Sequence, residues 1–377
     1  MEHIPLVDLR AQQAEIAEET EAEVLGVLRS AAYIGGPAVK EFESAYANYV
    51  GAAHCIGVGN GTDALELALR ATGVGVGGEV ILPANTFVAT AEAVARIGAV
   101  PVLVDVDAAH LLIDPMCVAG AISPKTQAIV PVHLFGKLAP MEEILALAES
   151  CGAAVIEDAA QSQGARHNGK VSGSFGVAAA TSFYPGKNLG AAGDAGAVTT
   201  NDPDIAEQVR MLGGHGSPSK YVHDVVGMNS RLDTIQAVVL KAKLRRLESW
   251  NQKRREAVAR YGELLANVPG VSLPVPRLDY EDVWHLYVVQ VNSRDAVLEF
   301  LNDVGIGAGV HYPTPVHLTK AFSYLGKGEG DFPVAEAAAG RILSLPIFPH
   351  ITAAQQQRVV EALVGAVKAI AGEERRS

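Results

Sequence analysis

The stretch "QAIVPVHLFGKLAPMEEILALAESCGAAVIEDAA", residues 127–160, carries the repeating unit of the fold. An apolar run (127–136) leads into a segment of helical period (141–152), and a second apolar run (153–160) follows. The same cycle recurs upstream. "HCIGVGNG" (54–61) reads as a strand ending in a glycine turn, and "TDALELALRAT" (62–72) as a helix with Thr62 or Asp63 near its start. "EVILPA" (79–84) is a strand, "VATAEAVARIG" (88–98) a helix and "VPVLVDVD" (100–107) a strand. Strands that are apolar throughout are buried on both faces, so the alternation predicts an α/β fold with a mainly parallel sheet between helices.

The texture changes after residue 200. Residues 232–268 hold one sustained helical period, long enough to link two lobes. Beyond it lie "WHLYVVQV" (284–291, strand), "RDAVLEFLNDVG" (294–305, helix), "AGVHYP" (308–313, strand) and a terminal helix from 352. This predicts a large domain over 1–245, opening with a helix at 11–29, and a small α+β domain over 246–377.

A formal net charge of −12 argues against a nucleic-acid partner or an anionic membrane. No apolar stretch is long enough for a transmembrane helix, and the N-terminus lacks a signal-peptide pattern. Three cysteines (Cys55, Cys117, Cys151) make no disulfide framework, which fits a reducing compartment, the cytoplasm. The histidines are widely spaced and there is no HExxH or CxxC, so no metal site is expected. "SGSFG" (172–176) is a poor match to a hydrolase nucleophile turn.

Two glycine-rich stretches compete for a phosphate. "GVGVGG" (73–78) follows a helix and precedes a strand, the reverse of the dinucleotide fingerprint, and reads as a turn. "GNGTDALELAL" (59–69) has the order strand, glycine turn, helix, so its helix N-terminus suits an anion; the alternative is an ordinary N-cap by Thr62 or Asp63. Asp158 sits at the carboxyl end of an apolar strand, where open α/β sheets bind ligands. Lys187 lies in a turn built from Pro185, Gly186, Asn188 and Gly190. A lysine amine, a carboxylate and a phosphate-binding helix start form one chemical set. Pyridoxal phosphate uses all three: the amine for its aldehyde, the carboxylate for its ring nitrogen and the helix start for its phosphate. Phe87 is placed to stack on the ring, or simply to pack in the core.

"GNGTDALELAL", "EDAAQSQGA", "SFYPGKNLGAAGDAGA", "GMNSRLDTIQAVVL" and "HYPTPVH" together resemble the DegT-type sugar aminotransferases, over essentially the whole chain. The resemblance implies a fold-type I pyridoxal-phosphate enzyme with a mainly parallel seven-stranded sheet in its large domain. It implies that Lys187 holds the cofactor, Asp158 meets the pyridine nitrogen, Gln161 lies near the ring hydroxyl and Phe87 stacks. It assigns Gly61, Thr62 and Ser182 to the phosphate cup, with Asp63 also among the cofactor-binding residues. Asn229 is assigned to a neighbour's phosphate in a homodimer with shared sites. Around the substrate it places His215, Lys220, Tyr221 and Arg231 from one loop, and His311, Tyr312 and His317 from another. The implied reaction amines a dTDP- or UDP-linked keto-deoxysugar, with glutamate or glutamine as donor, for a natural product or a surface polysaccharide. The motif "FYPGKNLG" leans toward amination at C3 over C4. A dehydratase of the same fold and a non-catalytic regulator that kept the fold are the alternatives; the lysine at 187 favours transamination.

Overall fold

The computed structural model describes residues 3–374. Helices α1 (Leu9–Ser30) and α2 (Pro37–Val50) precede an alternating run: β1 (His54–Val58), α3 (Gly61–Ala71), β2 (Glu79–Pro83), α4 (Val88–Arg96), β3 (Val100–Val104), α5 (Pro115–Ala121), β4 (Thr126–Ile129), α6 (Met141–Cys151) and β5 (Ala154–Asp158). A short ribbon, β6 (Arg166–His167) and β7 (Lys170–Val171), leads to β8 (Ala178–Ser182), β9 (Gly196–Thr200) and α7 (Pro203–Gly213). The long α8 (Thr234–Leu265) follows. Then come β10 (Val271–Ser272), β11 (Tyr280–Glu281), β12 (Tyr287–Val291), α9 (Arg294–Asp303), α10 (Pro333–Ala339), β13 (Ile342–Leu345) and α11 (Ala353–Glu374).

Seven strands form the large sheet in the order β1-β9-β8-β5-β4-β2-β3. All neighbours pair in parallel except β9, which runs against both β1 and β8. Two reversals leave β1 and β8 pointing the same way as β5. The carboxyl ends Val58, Asp158 and Ser182 therefore lie along one edge of the sheet, the edge where doubly wound sheets bind ligands. The apolar runs have the expected burial: Ile81, Ile129, Ile156 and Ala180 are all essentially inaccessible.

A second sheet, β10-β12-β13, packs with α9 and α11 around Tyr261, Leu301, Leu343 and Leu363. Ile4 joins this cluster from the start of the chain, its N–H bonded to Gly305 O at 2.9 Å. The proposed division at 245/246 falls inside α8. That helix gives Ala237 and Leu240 to the core around Phe42 and Phe183, and Tyr261 and Leu265 to the core of the second sheet.

Two local expectations need correction. "AGVHYP" is not a strand; it makes a single bridge, Gly309 to Ser344, and then turns away. Pro313 and Pro315 cannot donate to a ladder, and Tyr312 precedes a proline, so the third strand of the small sheet comes instead from Ile342–Leu345. The cap of α3 is neither Thr62 nor Asp63. The helix begins at Gly61, and Asn60 Oδ1 accepts from Asp63 N at 2.8 Å.

Candidate active site

Asp158 ends β5 and is 6% exposed. Burying a carboxylate is costly without donors, and two are supplied. Thr90 Oγ1 donates to Oδ2 at 2.8 Å, and Ala160 N donates to Oδ1 at 3.2 Å. Thr86 backs Thr90, hydroxyl to hydroxyl, at 2.8 Å. Burial pushes the Asp158 carboxyl up; the Thr90 and Ala160 bonds and the Lys187 charge oppose it.

Lys187 follows β8 in a turn closed by its own N–H to Tyr184 O at 2.8 Å. The glycine at 190 is needed because a Cβ there would run into the Pro185 carbonyl. Asn188 is buried and anchors the turn. Its amide donates to Asn251 Oδ1 on α8 at 3.0 Å and to Val283 O at 2.9 Å, and His285 Nδ1 stands 3.2 Å from its Oδ1. The Lys187 amine has no ion pair or hydrogen bond among the described residues. Burial lowers it to about 8, against the pull of Asp158. About a tenth of it is therefore the neutral, nucleophilic amine at pH 7, far more than for an exposed lysine.

The start of α3 faces the same space. The N–H groups of Gly61 and Thr62 have no intrahelical acceptor, as at any helix N-terminus. Gly61 lies so close to β8 that a Cβ would sit 2.6 Å from Ser182 Cβ. Only glycine lets the helix start and the Ser182 side chain meet. Asp63 lines the space too, but its N–H is taken by Asn60 and its Oδ2 accepts from Ser230 Oγ at 2.7 Å.

These groups line one cavity of about 700 Å³, together with Phe87, Gln161, His311 and Tyr312. Phe87 is half exposed, its ring 5.1 Å from that of Tyr312. Gln161 accepts from Phe135 N at 2.7 Å and donates to Tyr312 Oη at 3.0 Å. His311 Nδ1 is 2.8 Å from Ser344 Oγ, and burial with the nearby Lys187 charge holds its imidazole near 4, so it is neutral at physiological pH.

Pyridoxal phosphate matches this donor set. Free N–H groups at a helix start suit a phosphate, the buried carboxylate suits a protonated ring nitrogen, and the unpaired amine suits an aldehyde.

The remaining expected residues lie elsewhere in the single chain. His215, Lys220, Tyr221, Asn229 and Arg231 are exposed on the segment between α7 and α8, outside the cavity. Lys220 Nζ is 5.0 Å from the Tyr221 ring, and Arg231 has no ion pair among the described residues, with Asp233 or any other. His317 is buried, bound to Glu336 Oε1 at 3.0 Å and edge-on to Phe332, and does not line the cavity. Its place on a short helical turn after Pro315 faces it into the core. Residues not anticipated are Thr86 and Thr90, spaced i, i+4 around the Phe87 turn, together with Asn188 and His285. Asn188 had a signal in the sequence, a buried-type amide beside Lys187 among turn residues. Among the described residues no three His, Cys, Asp or Glu side chains converge as metal ligands, and no helix is long and apolar enough to cross a membrane.

Residues 14–364 match the model of the DegT/DnrJ/EryC1/StrS aminotransferase family. The chain is 47% identical to the erythromycin biosynthesis sensory transduction protein EryC1 of Saccharopolyspora erythraea, over 96% of this chain and 98% of that protein. It is 46% identical to the dTDP-3-amino-3,4,6-trideoxy-alpha-D-glucose transaminase of Streptomyces venezuelae, over 96% and 95% respectively. The crystal structure of S. venezuelae DesV in complex with a ketimine intermediate superposes with a TM-score of 0.94 at 45% identity, covering 97% of this chain and 98% of that one.

Proposed function

The chain belongs to the DegT/DnrJ/EryC1/StrS aminotransferase family, and from that premise we propose that it is a pyridoxal-phosphate-dependent aminotransferase of nucleotide-linked keto sugars. The donor is glutamate or glutamine. The acceptor carbon is C3 of a dTDP-sugar, the position and nucleotide in the printed name of the S. venezuelae relative. The observation that carries this reading is the cavity itself, lined by an unpaired Lys187 amine, a buried Asp158 carboxylate and the open start of α3.

When bound, the cofactor supplies an aldehyde for amines and a ring that takes up electrons. Asp158 is the anion for the ring nitrogen, and the Thr90 hydroxyl keeps the carboxylate aimed. Gly61, Thr62 and Ser182 would hold the phosphate and Phe87 would stack on the ring. Gln161, pinned by Phe135 N, would be the residue for the ring hydroxyl. Lys187 Nζ would hold the cofactor's aldehyde, and as a free amine in the same cavity it would be the group able to take a proton from the donor's α-carbon and to give it up again as an acid. An amine near 8 suits both directions, because a useful acid–base group titrates near the working pH. His311 and Tyr312 also line the cavity and are available to the sugar.

The functional unit is a homodimer. The exposed segment carrying His215, Lys220, Tyr221, Asn229 and Arg231 reaches the partner's cavity, Asn229 to its phosphate and the others to the nucleotide diphosphate. Arginine and lysine there suit an anion.

The test is incubation with L-glutamate and a panel of 3-keto and 4-keto dTDP- and UDP-sugars, with the new amine located by NMR. Amination at C3 of a dTDP-sugar is expected; amination of no keto sugar overturns the proposal.

A further inference from the structure

Resting on the role given to Lys187 above, we propose that His285 is a positioning residue for the Lys187 amine: its Nδ1–H fixes Asn188, the next residue in the chain, and its bare Nε2 faces the cavity as an acceptor. The tautomer follows from the hydrogen bonds. The Asn188 amide donates to Asn251 Oδ1 and Val283 O, so its Oδ1 is the acceptor and His285 Nδ1, 3.2 Å away, carries the hydrogen. A neutral imidazole has one N–H, which leaves Nε2 with its lone pair. His285 is 8% exposed and lines the cavity with Lys187.

The groups that face His285 keep it neutral. Burial acts first, then the charges of Lys187 and of Arg254 on α8, then His311 from the segment after α9; together they hold the imidazole well below its usual range. Asp158, across the cavity, acts on Lys187. The network reaches further. Asn251 donates to Gln163 O at 2.9 Å, and Gln163 Nε2 donates to Ser182 O at 2.9 Å. One chain of side chains, His285–Asn188–Asn251–Gln163, thus ties the Lys187 turn to the segment that follows Asp158. The amine and the carboxylate make no hydrogen bond to each other; pairing of β5 with β8 brings their strands together, and this chain of side chains adds a tie between the two turns that follow. The β12 approach and the Lys187 turn are locked together at the same point.

The experiment uses the protein without cofactor. Acetic anhydride labelling of Lys187 is followed by peptide mass spectrometry from pH 6.5 to 10, with exposed Lys40 as internal reference. Wild type is expected to show a labelling midpoint near 8. In His285→Leu and Asn188→Ala the freed turn solvates the amine, the midpoint rises, and labelling at pH 7.5 relative to Lys40 falls by about tenfold per unit of rise. His285→Gln, which keeps a donor for Asn188, recovers most of the wild-type profile. An unmoved midpoint in His285→Leu overturns the proposal. Nitrogen-15 NMR of the wild-type imidazoles tests it without any variant: the Nδ1–H tautomer of His285 is expected, and an Nε2–H tautomer or a charged ring overturns it. Cofactor uptake by the wild type is measured alongside. Failure of that uptake counts against the proposed function, whereas uptake with an unmoved midpoint counts only against His285.

Discussion

Thr90 Oγ1 donates to Asp158 Oδ2 at 2.8 Å, so the first turn of α4 holds the carboxylate that ends β5. A hydrogen bond to a charged group contributes about 1.5–3 kcal/mol. Thr90→Val keeps the shape and removes the donor. It is expected to lower kcat/KM for amino transfer by about ten- to a hundredfold, with Thr90→Ser recovering most of the loss. Steady-state kinetics check this; an unchanged kcat/KM in the valine variant contradicts it.

The lowered Lys187 amine has a cost in stability. Without cofactor the folded state resists a proton that the unfolded chain accepts up to about pH 10.5, while the folded amine titrates near 8. The penalty is full below about 8 and disappears as pH rises to the unfolded value. Lys187→Met is therefore expected to be more stable than wild type at pH 7, by up to about 3 kcal/mol, and the gain to vanish above pH 10.5. Denaturant unfolding at the two pH values measures it. A gain independent of pH points to packing instead.

Gly61 touches Ser182 where a Cβ would stand 2.6 Å from the serine Cβ. Alanine is the better helix former by up to about 1 kcal/mol, but overpacking costs about 1–3 kcal/mol, so the clash wins. Gly61→Ala is expected to lower Tm and to weaken pyridoxal-phosphate binding, read by equilibrium titration. Tight binding with a raised Tm would remove Gly61 from the phosphate cup.

Asn229 is exposed and lies outside its own chain's cavity. If it completes the partner's site, Lys187→Ala and Asn229→Ala subunits are each inactive alone. Random mixing of the two then restores activity in about one site in four, because hybrid dimers carry one intact site. No recovery on mixing contradicts shared sites.

The sheet was legible because parallel strands are buried on both faces, and runs such as those ending at Pro83 and Asp158 need no partner to be recognised. Lys187 was legible because it is a charge among turn formers, and Asp158 because it is the last residue of an apolar strand, whereas its neighbour Glu157 is buried against His133 Nε2 at 2.9 Å. The supporting residues were not. Thr90 and His285 act through hydrogen bonds to Asp158 and Asn188, 68 and 97 residues away in the chain, and no local period encodes such pairs. α2, α5 and α10 escaped notice: α5 and α10 are only seven residues long, and all three open on a proline that reads equally as a loop. "AGVHYP" misled because its β-forming residues precede two prolines, Pro313 and Pro315, neither of which can donate to a ladder.

The central claim is that Lys187 carries the cofactor. The most direct measurement loads the purified protein with pyridoxal phosphate, reduces it with borohydride and maps the added mass by peptide sequencing. The account predicts one stable adduct, on the peptide holding Lys187, absent from Lys187→Ala together with all amino transfer. An adduct on another lysine, or full turnover in Lys187→Ala, contradicts it.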